Sequence, residues 1–144
     1  MALDMTDIYA ALYERFDRFH DINDAFTLTD GRLYRTQAPA GPTFPCIVVT
    51  QVGGNVSEMF SGESLDDITL QMSVFAEYRN DATLASKIMK SLIEIYNWQE
   101  LAIPSGEAFL RMRREGIQQE VIEDRSHIHV FQDWILEIQV PTWR

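Results

Sequence analysis

Between Thr6 and Phe19 the apolar residues Ile8, Tyr9, Leu12, Phe16 and Phe19 recur at helical spacing, with Glu14, Arg15, Asp17 and Arg18 between them. One apolar stripe on an amphipathic helix follows, with Thr6 or Asp7 placed to cap it. The pattern fades from His20 to Asp30, and Asp30-Gly31 reads as a turn. Arg32 to Arg35 is a brief extended segment, after which Pro39, Pro42 and Pro45 impose a non-helical connection. Cys46 to Val52 is apolar on both parities and rich in β-branched residues, as in a strand covered on both faces. Gly53-Gly54-Asn55 is expected to turn the chain and Ser61-Gly62-Glu63-Ser64 to turn it again, so that Gly53–Ser64 forms a flexible loop holding Met59 and Phe60.

From Ile68 to Tyr78 the alternation is strict. Ile68, Leu70, Met72, Val74 and Ala76 share one parity, and Thr69, Gln71, Ser73, Phe75 and Glu77 the other, which predicts a strand. Asn80-Asp81 then caps a second helix, Ala82 to Trp98, whose stripe is Leu84, Ile88, Leu92, Ile95 and Tyr96, widened by Met89 and Ile93. After Pro104-Ser105-Gly106, Leu110 and Met112 alternate with Arg111 and Arg113 on a strand with one solvated face. Ile117 to Asp124 fits a strand or a loop. A long final strand carries Ile128, Val130, Trp134, Leu136, Ile138 and Val140 on one parity. Gln132 interrupts that apolar side, and Phe131 and Ile135 interrupt the polar one. Helix, strands, helix and strands with short late turns predict an α+β fold: a mainly antiparallel β-sheet with two α-helices packed on one face. No repeat or linker divides the 144 residues, and a chain of that length suits one domain spanning 1–144.

Charge narrows the partners. The formal net charge of −10 repels phosphate backbones, and direct nucleic-acid binding is not expected. The one dense basic cluster, Arg111, Arg113 and Arg114, reads either as a salt-bridged strand face or as a docking patch for an acidic partner. No stretch has the apolar length of a membrane span, and Met-Ala-Leu-Asp-Met-Thr-Asp lacks the plan of a signal peptide, so synthesis in the cytoplasm is expected. Cys46 is the single cysteine and lies within Pro45-Cys46-Ile47-Val48-Val49, where a buried small apolar side chain is expected rather than a nucleophile.

No set of residues announces catalysis. His127 and His129 share a strand face at a ligand spacing, but no third ligand can be named, and an exposed strand face accounts for the pair. Asp66-Asp67 and Glu123-Asp124 are adjacent, so in strands their carboxylates point apart. Ser57, Ser61 and Ser64 have no nucleophile elbow around them, and Gly53-Gly54 belongs to no phosphate-binding fingerprint. No enzyme, cofactor or metal is expected.

The layout as a whole resembles the tail-completion, or tail-terminator, proteins of long-tailed bacteriophages. The likeness runs through the N-terminal helix, Arg32-Leu33-Tyr34, the Pro/Gly loop into Phe44-Pro45-Cys46-Ile47-Val48-Val49, Leu70–Ala76 leading into Ala82–Tyr96, and Asp133-Trp134-Ile135-Leu136-Glu137-Ile138. It covers roughly Ile8 to Val140, with Gln99–Asp124 longer than the hairpin expected there. The resemblance implies a virion structural protein, made in the bacterial host. It would form a ring, usually a hexamer, at the head-proximal end of the tail. There it would stop tail-tube polymerisation and join the tail tube to the head connector. Phe75, Phe131 and Ile135 could form subunit contacts or a second core layer under a helix or loop, and the loop with Met59 and Phe60 could order on docking or stay a plain surface loop. Two alternatives stand beside it: another neck subunit of head-completion or adaptor type, and a cellular ligand- or partner-binding α+β domain.

Overall fold

A computed structural model describes residues 5–58, 63–77, 83–103, 109–123 and 127–141. The first periodic segment is helix α1, Met5–Arg18, which buries Ile8, Ala11, Leu12 and Phe16. The stretch without a readable period contains a further helix, α2, Asp24–Thr29. Six residues are too few to display a repeat, and capping rather than pattern makes this helix. The Asn23 carboxamide oxygen accepts from the Ala25 backbone N–H at 3.0 Å, while its nitrogen donates to the Ser91 carbonyl at 3.0 Å. Asp30 closes α2 in the left-handed region at φ 52°. The described residues thus hold three helices where two were expected.

Strand β1, Leu33–Arg35, is followed by β2, Cys46–Glu58, and β3, Glu63–Glu77. β2 and β3 form one long antiparallel ladder from Cys46 opposite Phe75 to Glu58 opposite Ser64. The expected loop from Gly53 to Ser64 is therefore strand backbone up to Glu58 and again from Glu63, with a register shift between Gln51 and Gly53. Glycines tolerate extension as well as turning, and the neighbouring ladder decides between the two. Met59 and Phe60 lie outside the described residues.

Helix α3, Leu84–Tyr96, comes next, then β4, Gln99–Ala102, β5, Phe109–Glu123, and β6, His127–Pro141. The sheet order is β1-β2-β3-β6-β5-β4. Every neighbouring pair is antiparallel except β1 and β2, which run parallel with Leu33 opposite Ile47, so the sheet is mixed. The segment over residues 36–45 carries the chain back along β1, and Ile47 N–H then donates to Arg32 O and Thr36 N–H to Val49 O.

The strand parities fall as the sequence places them. Leu70, Met72, Val74 and Ala76 of β3, Leu110 and Met112 of β5, and Ile128, Val130, Trp134 and Leu136 of β6 share one buried cluster with the apolar stripes of α1 and α3. Buried Tyr96 ties the two long helices together by donating its hydroxyl to the Leu12 carbonyl at 2.6 Å, and its ring meets Trp134 edge-on at 6.3 Å. Arg15 likewise donates from Nε to the Ile95 carbonyl. Its guanidinium is held below the usual arginine range by burial first and by the nearby charge of Arg18 second.

One irregularity explains the polar residue on the apolar side of β6. Glu115 stands opposite Asp133 and Gln119 opposite Phe131, so Gly116, Ile117 and Gln118 bulge out against Gln132 alone. Gly116 takes φ 72°, a conformation glycine adopts at no steric cost. The fully buried Gln132 donates from Nε2 to the carbonyls of Glu115 and Gly116, each at 3.1 Å. The segment from Ile117, which fits strand or loop by sequence, is strand again after this bulge.

Candidate functional site

Because the core occupies one face of the sheet, residues of the other parity line up on a face that no helix covers among the described residues. The register sets them in rows: Cys46, Phe75, His129 and Val121; Val48, Ser73, Phe131 and Gln119; Gln71, Asp133 and Glu115; Thr69, Ile135 and Arg113; Asp67, Glu137 and Arg111. Strand pleating sets Phe131 and Ile135 of β6 on this face, and the pairing of β6 with β3 adds Phe75 from much earlier in the chain. Each is half-buried.

At the β2 end this face deepens into a groove of about 470 Å³ beneath the segment over residues 36–45. Pro42, Phe44, Cys46, Val48, Phe75 and His129 are among the residues that line it. Phe75 stacks on His129 with ring centroids 4.3 Å apart, His129 meets Phe131 at 5.0 Å, and Phe44 meets His127 at 4.6 Å. The two histidines thus sit among aromatic rings on one strand face. Among the described residues no three histidine, cysteine or carboxylate side chains stand close enough together to hold a metal ion. Cys46 is buried, and burial pushes its thiol above the usual range, opposed only by the charge of Arg32. A thiol in that state is a poor nucleophile.

The arginine cluster is divided by the pleat. Arg111 and Arg113 lie on the helix-free face, where Arg111 pairs with Glu100 at 3.2 Å and Arg113 with Glu115 at 3.6 Å and Glu137 at 3.7 Å. These exposed and half-exposed pairs hold the face in order but contribute little stability, at most about 1 kcal/mol each. Arg114 lies opposite Trp134 on the other parity, and its side chain is exposed with no ion pair among the described residues. The reading as a salt-bridged face fits the first two, and the single basic patch drawn from the sequence does not form.

Two exposed residues escaped the sequence reading. Trp98 is 70% exposed and held at φ 62°, where a bulky side chain is rarely found. Ile117 is 84% exposed in the bulge after Gly116. The signals were present as Asn97-Trp98 at the helix end and Gly116-Ile117 inside a strand, each an apolar residue beside a turn former.

The sequence matches the family described as Tail completion protein gp17 over residues 17–134. No curated protein matches it. Among solved structures, a chain from the virion of a native gene transfer agent particle superposes with a TM-score of 0.68 at 14% identity, covering 90% of this chain and 92% of that one. A second solved chain gives a TM-score of 0.60 at 13% identity, covering 94% of this chain and 96% of the other. At such identities the likeness is one of fold.

Proposed function

Because the chain belongs to the gp17 tail-completion family, and so to the structural proteins of phage tails, we propose that it forms a closed homo-oligomeric ring, a hexamer, at the head-proximal end of the tail. There it stops tail-tube polymerisation and joins the tube to the head connector, without catalysis and without a cofactor. The family match over residues 17–134 carries this reading, because it runs through β2, β3, β5 and the first half of β6, the strands that build the helix-free face. The superposition on a chain of a virion particle supports a place in the virion; synthesis in the host cytoplasm belongs to the same proposal.

The chemistry of the helix-free face suits a protein partner. Half-buried Phe75, Phe131 and Ile135 lie among Gln71, Asp133 and the ion-paired Arg111 and Arg113. Apolar anchors inside a polar, charge-paired surround are how non-obligate protein interfaces are built. We assign this face to the tail tube or the connector; Arg114, exposed on the opposite parity, and Met59 and Phe60 are proposed as contacts outside it. The paired substitutions Phe131→Asp and Ile135→Asp test the assignment. Tails assembled with the variant should lose their capped ends and run past normal length in electron microscopy, while circular dichroism and the native mass of the purified protein stay unchanged. Tails of normal length that still join heads would sink it.

A further inference from the structure

The sheet has two open edges, set diagonally across it. β1 accompanies β2 only from Ile47 to Val49, so from Thr50 to Glu58 no strand flanks β2 on that side among the described residues. β4 accompanies β5 only from Phe109 to Met112, and Asn97 covers one more position by accepting the Arg114 backbone N–H at 3.1 Å. From Glu115 to Glu123 the outer side of β5 is likewise open. The two open stretches have the same length. That on β2 runs to the end of the sheet where Ser64 faces Val140, and that on β5 runs to the end where Glu77 faces His127.

Neither stretch contains a lysine or a proline, the residues that most often block pairing at a strand edge. Bulges also guard edges, and one lies in each stretch. At these bulges, however, large apolar side chains stand outward, Val52 52% exposed and Ile117 84%, the latter beside exposed Glu115, whose carboxylate is paired with Arg113. Val121, farther along β5, is 42% exposed. Trp98 stands where β4 begins, at the limit of the open part of β5.

The strand directions suit a join between copies. Three antiparallel steps separate β2 from β5, through β3 and β6, so the two run in opposite directions. A second copy displaced across the sheet therefore brings its β5 antiparallel to the first copy's β2. A shift along the strands by the length of the open stretch keeps β1 of one copy clear of β4 of the other.

We propose that a second copy of this chain docks edge to edge, its β5 from Glu115 to Glu123 pairing antiparallel with β2 from Thr50 to Glu58, so that one sheet continues from subunit to subunit. The inference rests on the ring reading above and assigns its subunit contact. The contact is heterologous, so it repeats, and the stagger it imposes closes a ring when the strands tilt against the ring axis.

Single cysteines at the two edges test it, with buried Cys46 left in place. Within one chain Val52 and Val121 are separated by three strand spacings, about 14 Å at least, beyond the roughly 7 Å limit between α-carbons for a disulfide. Val52→Cys and Val121→Cys proteins mixed and oxidised should give a disulfide-linked pair, and each protein alone none. The doubly substituted chain should give a ladder ending at the subunit number of the ring. Val121→Lys should weaken self-association at least tenfold with the thermal midpoint of the dissociated chain unchanged. A ring of normal native mass whose mixed edge cysteines stay unlinked, or that links Val52→Cys to itself, overturns the edge assignment and leaves the ring standing. A chain that stays monomeric at high concentration and on purified tail tubes overturns both.

Discussion

Gln132 gives the sharpest test of how the β5 bulge is held. Its side chain is 0% exposed, its nitrogen donates to the carbonyls of Glu115 at 3.1 Å, Gly116 at 3.1 Å and Asp133 at 3.0 Å, and its own oxygen is buried with no partner among the described residues. Gln132→Glu keeps the shape but replaces two N–H donors by a carboxyl that has one O–H donor when protonated and none when ionised, facing carbonyl oxygens. At pH 7 the new carboxyl must stay protonated to remain buried. Against an unfolded pKa of about 4.3, at 1.36 kcal/mol per unit, that costs about 3.7 kcal/mol. One lost hydrogen bond adds about 1 kcal/mol, for a total near 5 kcal/mol. The folded pKa of the introduced group is raised above its unfolded value, so the penalty grows as pH rises above about 4.3 and shrinks towards about 1 kcal/mol at pH 4. Urea unfolding of both proteins at pH 4 and pH 7 measures it, with the wild-type change subtracted. Gln132→Met is the control, because losing two donors and removing the orphan oxygen offset one another to within about 1.5 kcal/mol. A Gln132→Glu protein within 1 kcal/mol of wild type at pH 7, or one with no added pH dependence, would refute the proposed role of the carboxamide.

Four further outcomes follow from the helices and the groove. Tyr96→Phe removes the hydroxyl that donates to Leu12 at 2.6 Å and should cost about 1 kcal/mol in urea unfolding; a change indistinguishable from zero would mean that the bond is not formed in solution. Burial raises the same phenol above its ordinary value, so the unfolded chain loses that proton first. Stability should therefore fall as pH rises past about 10, and less steeply in the Phe variant. Asn23→Ala removes the cap of α2 and the bond to Ser91 together, and should cost about 2 kcal/mol with faster amide exchange confined to α2. Cys46, buried and with its thiol pushed up, should react with a disulfide reagent at pH 8 only at the rate of unfolding, and immediate labelling of the native protein would contradict its burial.

Much of this fold is written locally. The stripe Ile8, Leu12 and Phe16, the alternation from Leu70 to Ala76 and the parity of Ile128, Val130, Trp134 and Leu136 each identify an element and the side it buries, and all are buried as expected. Once the core parity is known, the opposite parity is known too, so the sharing of one face by Phe75, Phe131 and Ile135 was implicit in the sequence. The family likeness rested on the same order of elements. The arginine triplet shows the limit of reading neighbours as a patch, since strand pleating sends Arg114 to the side of Trp134 and leaves Arg111 and Arg113 with Glu100, Glu115 and Glu137.

The sequence by itself determined the periodic elements and the two faces of the sheet, because periodicity is a property of a single segment and its own side chains. Only the tertiary structure decided what depends on a distant partner. A glycine pair read as a turn became strand because β3 lies alongside it, and a helix of six residues exists because Asn23 reaches Ser91. Gln132 interrupts an apolar face because carbonyls from β5 bulge onto it. The edges were the least legible feature of all. Where β1 and β4 stop covering their neighbours is fixed by how long each short strand pairs, and three or four residues carry no period from which that length could be read.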